Sequence, residues 1–469
     1  LTIDAGDIFQ GTPYFKFYSG ETEVAYLNNA GYDIYTIGNH EFDNGSDNLA
    51  KQLQAAKFSI ISANIDASAK PELAKLIKPS TIRIIEGKKI GFVGAVTPDL
   101  EKICLTTGGV HIKESGEPIA WIKPIADAVQ SLQQEGVERI ILVTHCGVER
   151  DRLLAQNIPA VDAIIGGHSH TRLNKPVVIE RADGSSCTIV QTGCFGRTLG
   201  KLRLSFDNQG RIITPATKYI LIGINDKIGE APDVKKYLAS KVGPIQALRN
   251  QILGFALGNF DNRSAGLPTD TGMGNLVSDA IFETASKYGA TIAFHNRGGI
   301  RGRIDQGPIS LEKVEEVLPF NNAITVATVS GATIQKVLEH ALSDNPSGKF
   351  LNVHGLKITY DPNKPNGQRL ASVLVELGPN SWKPIDSQKS YRIAINDYNF
   401  NGGEGFDFAG ATDVQSTKIR LADALAAYLK KHPKISPLSA VRVTPLESAI
   451  SDNHAVPSKS RSHQKSTVN

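Results

Sequence analysis

Asp33-Ile34-Tyr35-Thr36-Ile37-Gly38-Asn39-His40-Glu41-Phe42-Asp43 opens as an apolar, β-rich run and breaks at a glycine into side chains that can hold a metal ion. The same order recurs through the first half. Leu1–Ile3 leads to Gly6-Asp7, Glu138–Thr144 runs into Thr144-His145, and Ala160–Ile165 ends at Gly166-Gly167-His168-Ser169-His170. Two further β-type runs are Phe58–Ala63 and Lys89–Val96, and helical patterns lie between the runs at Glu21–Asn29, Ser46–Ala56, Ile119–Gln134 and Arg150–Gln156. Nearly all-apolar strands alternating with helices predict a layered α/β core with helices covering the sheet. In a parallel sheet the strand C-terminal ends share one edge, so the donor-bearing loops are expected to meet in one crevice.

Working outward, 469 residues exceed one compact core, and two or three domains are expected. A composition of 41% hydrophobic and 21% charged residues excludes wholesale disorder. Lys plus Arg (51) against Asp plus Glu (47) leaves +4, too small and dispersed for a nucleic-acid groove, so no nucleic-acid partner is expected. No run of about 18 apolar residues exists, which excludes a helical membrane span. Cys187 and Cys194 could face each other across a closing hairpin around Gly193 and Gly196, while Cys104 and Cys146 have no evident partners. Isolated buried thiols are the expectation for these cysteines, and their spacing matches no zinc ribbon. The chain opens at Leu1 inside what reads as the end of a buried strand, so the sequence is expected to begin within a domain.

The pattern changes near Leu221–Asp226. Ala231–Gln251 reads as helical, started by Pro232-Asp233, and as the connection to a second domain. That domain is expected to hold helices at Gly274–Tyr288, Leu311–Val317, Ala332–Leu342 and Arg420–Lys430. Its strands are expected at Ala290–Phe294, Ala323–Val329, Gly355–Tyr360, Ala371–Leu377 and Tyr391–Asn396. Beyond Glu447 the composition turns polar and aperiodic, as in a disordered tail.

The four donor segments supply a carboxylate, an amide oxygen and three imidazoles. Mixed oxygen and nitrogen donors without thiolate suit Mn, Fe or Zn better than Mg or Ca. A pair of ions sharing one carboxylate is the natural arrangement, since two ions about 3.5–4 Å apart hold a nucleophile and a phosphoryl oxygen together.

Taken in order, Gly6-Asp7, Gly38-Asn39-His40-Glu41, His145 and Gly166-Gly167-His168-Ser169-His170 resemble the calcineurin-like metallophosphoesterases. Gly6-Asp7-Ile8-Phe9-Gln10-Gly11-Thr12-Pro13 and Gly38-Asn39-His40-Glu41-Phe42-Asp43-Asn44-Gly45 are similar to the 5′-nucleotidase and UDP-sugar hydrolase branch. The resemblance implies a layered metallophosphoesterase β-sandwich flanked by helices over 1–225, a helical linker over 226–250 and a second, α+β substrate-binding domain over 251–447. It leaves 448–469 as the tail. It implies two divalent metal ions (Mn, Zn, Co or Fe), with Asp7 bridging, Asn39, His145 and His168 on the second ion and His170 on the first. His40 resembles the catalytic histidine, and Asp43 the carboxylate that orients it. The family also carries an Asp-x-His motif ahead of the bridging aspartate. Residues 1–6 contain none, which accords with a sequence that begins inside the domain.

In the second half, Asn296-Arg297-Gly298-Gly299-Ile300-Arg301 suits a loop that grips an anion. Leu318-Pro319-Phe320 and Asn396-Asp397-Tyr398 bring aromatic rings that could clamp a planar base or belong to the core, and Glu404 follows in a glycine-rich turn. These segments look like the 5′-nucleotidase C-terminal domain. By that match Asn296 and Arg301 contact phosphate, Phe320 and Tyr398 sandwich the base, Glu404 stands at a ribose-binding aspartate, and Arg263 is a further phosphate-gripping arginine. The implied activity is release of phosphate from nucleoside 5′-monophosphates, with UDP-sugars or other nucleotides as further substrates, by in-line attack of an activated water. The implied location is periplasmic, cell-surface or secreted. Two other readings stay open: a 2′,3′-cyclic-nucleotide phosphodiesterase with 3′-nucleotidase activity, and a catalytically impaired nucleotide-binding protein.

Overall fold

The strand ahead of Gly38 is Ile34–Thr36, and all three of its residues are buried. The computed structural model of the chain describes residues 1–446 apart from 115–117, 208–209, 211, 214–216, 263–268, 344–347, 379–380 and 438–440. Arg263 and the tail expected at 448–469 lie outside the described residues. The chain divides into two units, Leu1–Gln251 and Ile252–Asn469.

In the first unit, Ile3–Asp4, Ile34–Thr36, Ser59–Ile61 and Ile77–Lys78 form a parallel sheet in that spatial order. A second sheet runs Val177–Glu180, Ser186–Val190, Ala163–Gly166, Arg139–His145, Lys88–Val96, Ser80–Ile85. Its four inner strands are parallel and both edge strands antiparallel. Ile34 and Ile61 from the first sheet pack with Phe92, Val143 and Ala163 from the second, which makes the unit a β-sandwich. Outside it, helices Ser46–Leu53, Lys123–Gln134 and Val148–Asn157 bury Leu49, Leu53, Ile125, Val129, Leu132 and Leu154 in the larger core. Arg139–His145 is covered on both faces and all seven residues are buried. That is why it reads as an unbroken apolar run and not as an alternating one.

The closing hairpin expected around Cys187–Ser205 is not formed. Ser186–Val190 is an inner strand of the six-stranded sheet, whereas Thr198–Arg203 pairs with Lys218–Gly223 in a separate ribbon. Gly193 and Gly196 carry the chain from one to the other in left-handed conformations. All four cysteines are free thiols, and burial pushes Cys187 up to about 12. The helical segment is two helices, Pro232–Lys241 and Gly243–Asn250, with Pro244 seated in the first turn of the second. Both belong to the first unit, where the Tyr18 hydroxyl donates to the Lys241 carbonyl (2.7 Å) and Lys241 pairs with Glu21 (2.6 Å).

The second unit is built on a five-stranded sheet ordered Leu351–His354, Ile292–Asn296, Ser390–Asn396, Ala323–Ser330, Thr412–Arg420. The strict two-residue period sorts its faces. Ala293 and Ala394 pack beneath helices Gly272–Ala285 and Leu421–Lys431. Ile292, Phe294, Ile393 and Ile395 face helix Gly331–Ala341 and the sheet containing Leu356–Tyr360 and Leu370–Gly378. Ile292–Asn296 and Ser390–Asn396 are parallel, and Ile324 lies opposite Asn396 in the antiparallel pairing. Asn296, Asn396 and the approach to Ala323 therefore reach one edge of this sheet. Among the described residues no helix is long and apolar enough to cross a membrane.

His295 is fully buried within this sheet, and burial depresses its imidazole to about 4. The unfolded chain binds a proton there near 6.5, so acidification favours unfolding through this group. Its penalty begins below the unfolded pKa and is complete below the folded one. Between pH 7 and pH 5 the parent should lose about 2 kcal/mol more than a His295→Gln variant in urea melts. Equal pH slopes in the two proteins would refute this.

Candidate active site

Every donor segment of the first unit leaves the C-terminal end of a strand. Asp7 follows Ile3–Asp4, Asn39 and His40 follow Ile34–Thr36, His145 ends Arg139–His145, and His168 follows Ala163–Gly166. Asp7, His145 and His168 have ligating atoms within 4.8 Å of one another. The Asn39 amide oxygen is 3.0 Å from His168 Nδ1, and the His145 and His168 rings meet edge to face at 5.1 Å. His170 is not in this group of three, and its ring lies against Phe195 at 5.5 Å. His40 Nδ1 is 2.9 Å from Asp43 Oδ2, and the His40 amide donates to Asp7 Oδ1 at 2.8 Å. The Asp7 and Gly38 loops touch so closely that a Cβ on Gly38 would sit 2.2 Å from Asp7 Oδ1.

Two features were not legible in the sequence. Glu41, fully buried, accepts from the backbone N–H groups of Gly38 (2.6 Å), Asp7 (3.0 Å), Ile8 (2.8 Å) and Phe9 (3.2 Å). Asp7, His168 and His170 take φ of 63°, 74° and 54°, a left-handed conformation that non-glycine residues adopt at a cost. The glutamate that closes Gly38-Asn39-His40-Glu41 is thus a brace for the aspartate loop, a role for which the sequence carries no signal.

The donor set fits a cation. His145 Nδ1 lies 2.6 Å from the Ala5 carbonyl, which can only accept, so this nitrogen carries the proton. The neutral tautomer then turns a lone pair from Nε2 toward Asp7 Oδ2 at 2.8 Å, and that contact lacks hydrogen-bond geometry. A lone pair facing a carboxylate is repulsive unless a positive charge lies between them. Without a metal, a proton fills that need. Burial works against a charge on His145, yet Asp7 overrides it and lifts the imidazole to about 9. Burial likewise opposes ionisation of Asp7, and the charges of His145 and His40 outweigh it, holding the carboxyl below its usual range. Burial and the charge of His145 push His168 down to about 3, which keeps it neutral and able to ligate.

The calcineurin-like phosphoesterase model matches residues 1–172, and the 5′-nucleotidase C-terminal domain model matches 253–411. The 5′-nucleotidase of Bos taurus is 31% identical over 439 residues, covering 87% of this chain and 75% of its own length. The chain belongs to the 5′-nucleotidase family. The trifunctional nucleotide phosphoesterase protein YfkN of Bacillus subtilis is 32% identical across 87% of this chain, which spans 30% of that protein's length. The crystal structure of a 5′-nucleotidase precursor from Thermus thermophilus superposes with a TM-score of 0.90 at 32% identity, covering 95% of this chain and 90% of that one. The two-unit α/β architecture is that of the 5′-nucleotidase family, and membership in the calcineurin-like metallophosphoesterases implies divalent metal ions.

The 5′-nucleotidase-type second unit gathers its own set at the sheet edge reached by Asn296 and Asn396. Asn296 Nδ2 donates to Glu404 Oε1 at 3.2 Å, and the Arg301 guanidinium lies over the Phe320 ring at 5.9 Å. Tyr398 is half-buried with its ring laid against Gly403, where a Cβ would come within 2.5 Å of it. Glu404 is pushed up to about 7 by burial. Phe400, two residues on, packs partly buried against the core, stacked on Phe408 at 5.4 Å.

Proposed function

We propose that this 5′-nucleotidase-family protein releases phosphate from nucleoside 5′-monophosphates. The first unit carries the phosphoryl chemistry on two divalent ions, and the second recognises the nucleoside. The observation that carries the reading is the convergence of the Asp7, His145 and His168 ligating atoms within 4.8 Å of one another, with the His40–Asp43 pair hydrogen-bonded to the same aspartate through the His40 amide. Asp7 would bridge the ions, with Asn39, His145 and His168 on one and His170 on the other. When bound, divalent ions polarise the phosphoryl oxygen and the attacking water. His40, oriented by Asp43, stabilises charge on the phosphoryl group or protonates the leaving oxygen. Arg301 contacts phosphate in this reading, as the resemblance implies for Arg263; Phe320 and Tyr398 hold the base and Glu404 the ribose, and Asn296, expected at the phosphate, is moved to the ribose side by its bond to Glu404. Export to periplasm, cell surface or medium is part of the same proposal.

A substrate panel tests it: AMP, 3′-AMP, 2′,3′-cyclic AMP and UDP-glucose, each with Mn, Co or Zn. AMP should be the best substrate. Preference for the cyclic nucleotide would favour the second reading, a 2′,3′-cyclic-nucleotide phosphodiesterase. Base stacking is worth about 1–3 kcal/mol, so Tyr398→Ala should raise KM for AMP by about tenfold or more. Hydrolysis of p-nitrophenyl phosphate, which has no nucleoside, should not change, and a parallel loss on both substrates would remove Tyr398 from base recognition.

A further inference from the structure

Three buried asparagines join the sheet edge of the second unit to its glycine-rich turn. Asn396 and Asn399 are fully buried, and Asn296 is 3% exposed. The Asn399 backbone N–H donates to Asn396 Oδ1 at 2.7 Å, capping the short helix Asp397–Phe400. A backbone N–H can only donate, so this bond settles which end of the Asn396 amide is oxygen. Its Nδ2 then faces the other way, 2.7 Å from Asn399 Oδ1 and 3.1 Å from Asn296 Oδ1. Two further anchors agree. Asn399 Nδ2 points to the Gly403 carbonyl (3.4 Å), and Asn296 Nδ2 to the Glu404 carboxylate (3.2 Å); neither partner donates as a carbonyl or carboxylate.

We propose that Asn396 is a positioning residue whose N–H group holds the Asn296 amide with its oxygen inward, so that Asn296 and Glu404 offer a nucleoside hydroxyl a donor beside an acceptor. The inference rests on the nucleoside-binding reading of this edge. Among the described residues, Glu404 Oε2 is buried without a hydrogen-bond partner, so that pair still holds an acceptor that no donor meets. A hydroxyl both donates and accepts, which matches a fixed N–H beside a carboxylate oxygen. Were the Asn296 amide reversed, its oxygen would face the Glu404 oxygens, and the site would present two acceptors to a group that donates one proton. Neither Asn396 nor Asn399 needs to touch the substrate for this to hold.

Asn396→Ser separates the relay from the fold. Serine keeps an oxygen to accept from Asn399 N–H, a favoured cap, and loses only the donor to Asn296. Loss of that one bond should raise KM for AMP by about tenfold while kcat stays within about twofold. Hydrolysis of p-nitrophenyl phosphate should stay at parent level. Asn396→Asp keeps volume and cap but turns an acceptor on Asn296, and its KM should rise further. Unchanged KM in both variants overturns the proposal, as does a proportional fall in kcat on both substrates, which a merely structural residue would give. Calorimetry with adenosine separates the two levels of inference. If the parent binds adenosine but does not cleave AMP, the nucleotidase reading fails, and Asn396→Ser must still weaken adenosine about tenfold for the relay to stand. A parent that binds no adenosine overturns the relay as well.

Discussion

Asp7→Ala should lose bound metal and phosphate release together, whereas His40→Ala should lose release and keep its metal. Asp7 is the only carboxylate in the described cluster, with Oδ1 taken by the His40 amide and Oδ2 facing His145 Nε2. Removing it leaves two imidazoles without the negative charge that holds a cation between them, and turnover should fall to the uncatalysed background. His40 contacts that centre through its backbone, and its ring is paired with Asp43 at 2.9 Å. A side chain that moves a proton or stabilises charge is worth about 10²- to 10⁴-fold, so His40→Ala should lose that much in kcat. Metal content by mass spectrometry of the purified proteins, beside phosphate release from AMP, gives both answers. If His40→Ala sheds metal in proportion to its activity, His40 is a ligand and its role as catalyst is wrong.

Glu41→Ala should be the most destabilising single change near the site. The carboxylate answers four backbone donors at once, those of Gly38, Asp7, Ile8 and Phe9. Burial and the charge of Asp7 push its carboxyl upward, opposed by the charge of His145 and the Asp7 amide. Each buried donor left without a partner costs about 1–3 kcal/mol, so even with water entering, a loss of about 4 kcal/mol or more is expected. That is a large share of a domain's stability of about 5–15 kcal/mol. Glu41→Gln retains one accepting oxygen and sets an amide against the remaining N–H groups, so it should fall between the two. Because Asp7 sits in a left-handed conformation that the brace maintains, metal affinity should weaken in the same order, alanine below glutamine below the parent. Thermal melting and metal titration measure the two effects, and a Glu41→Ala protein that melts and binds metal like its parent would dismiss the brace.

The layered α/β core was legible because its inner strands are buried and donor-bearing loops end them, while the sandwich was implied by the family resemblance. Arg139–His145 announces itself by seven buried residues, and Ile34–Thr36 by three. The edge strands Ser80–Ile85 and Val177–Glu180 escaped because neither is fully buried, so their pattern resembles a loop. The misread hairpin at Cys187–Ser205 failed for a topological reason, since two β-runs flanking glycines look alike whether or not they pair. At the centre, residue types and order revealed which side chains meet. They could not reveal Glu41 as a brace, because four amides converging from two loops leave no trace in spacing, nor the direction of the Asn396 amide.

The backward-turning backbone at Asp7, His168 and His170 also sets two kinds of selection against each other. Glycine adopts that conformation without strain, whereas these side chains spend about 1–3 kcal/mol on it. A laboratory population screened only for heat resistance would feel that strain as a pull toward glycine, opposed at Asp7 by the bond it accepts from the His40 amide and at His168 by its contact with Asn39. The same population screened for turnover would hold to aspartate and histidine. The centre is therefore where thermal robustness and function cannot be improved by the same substitution, and stabilising changes are better sought in the strands and helices that surround it.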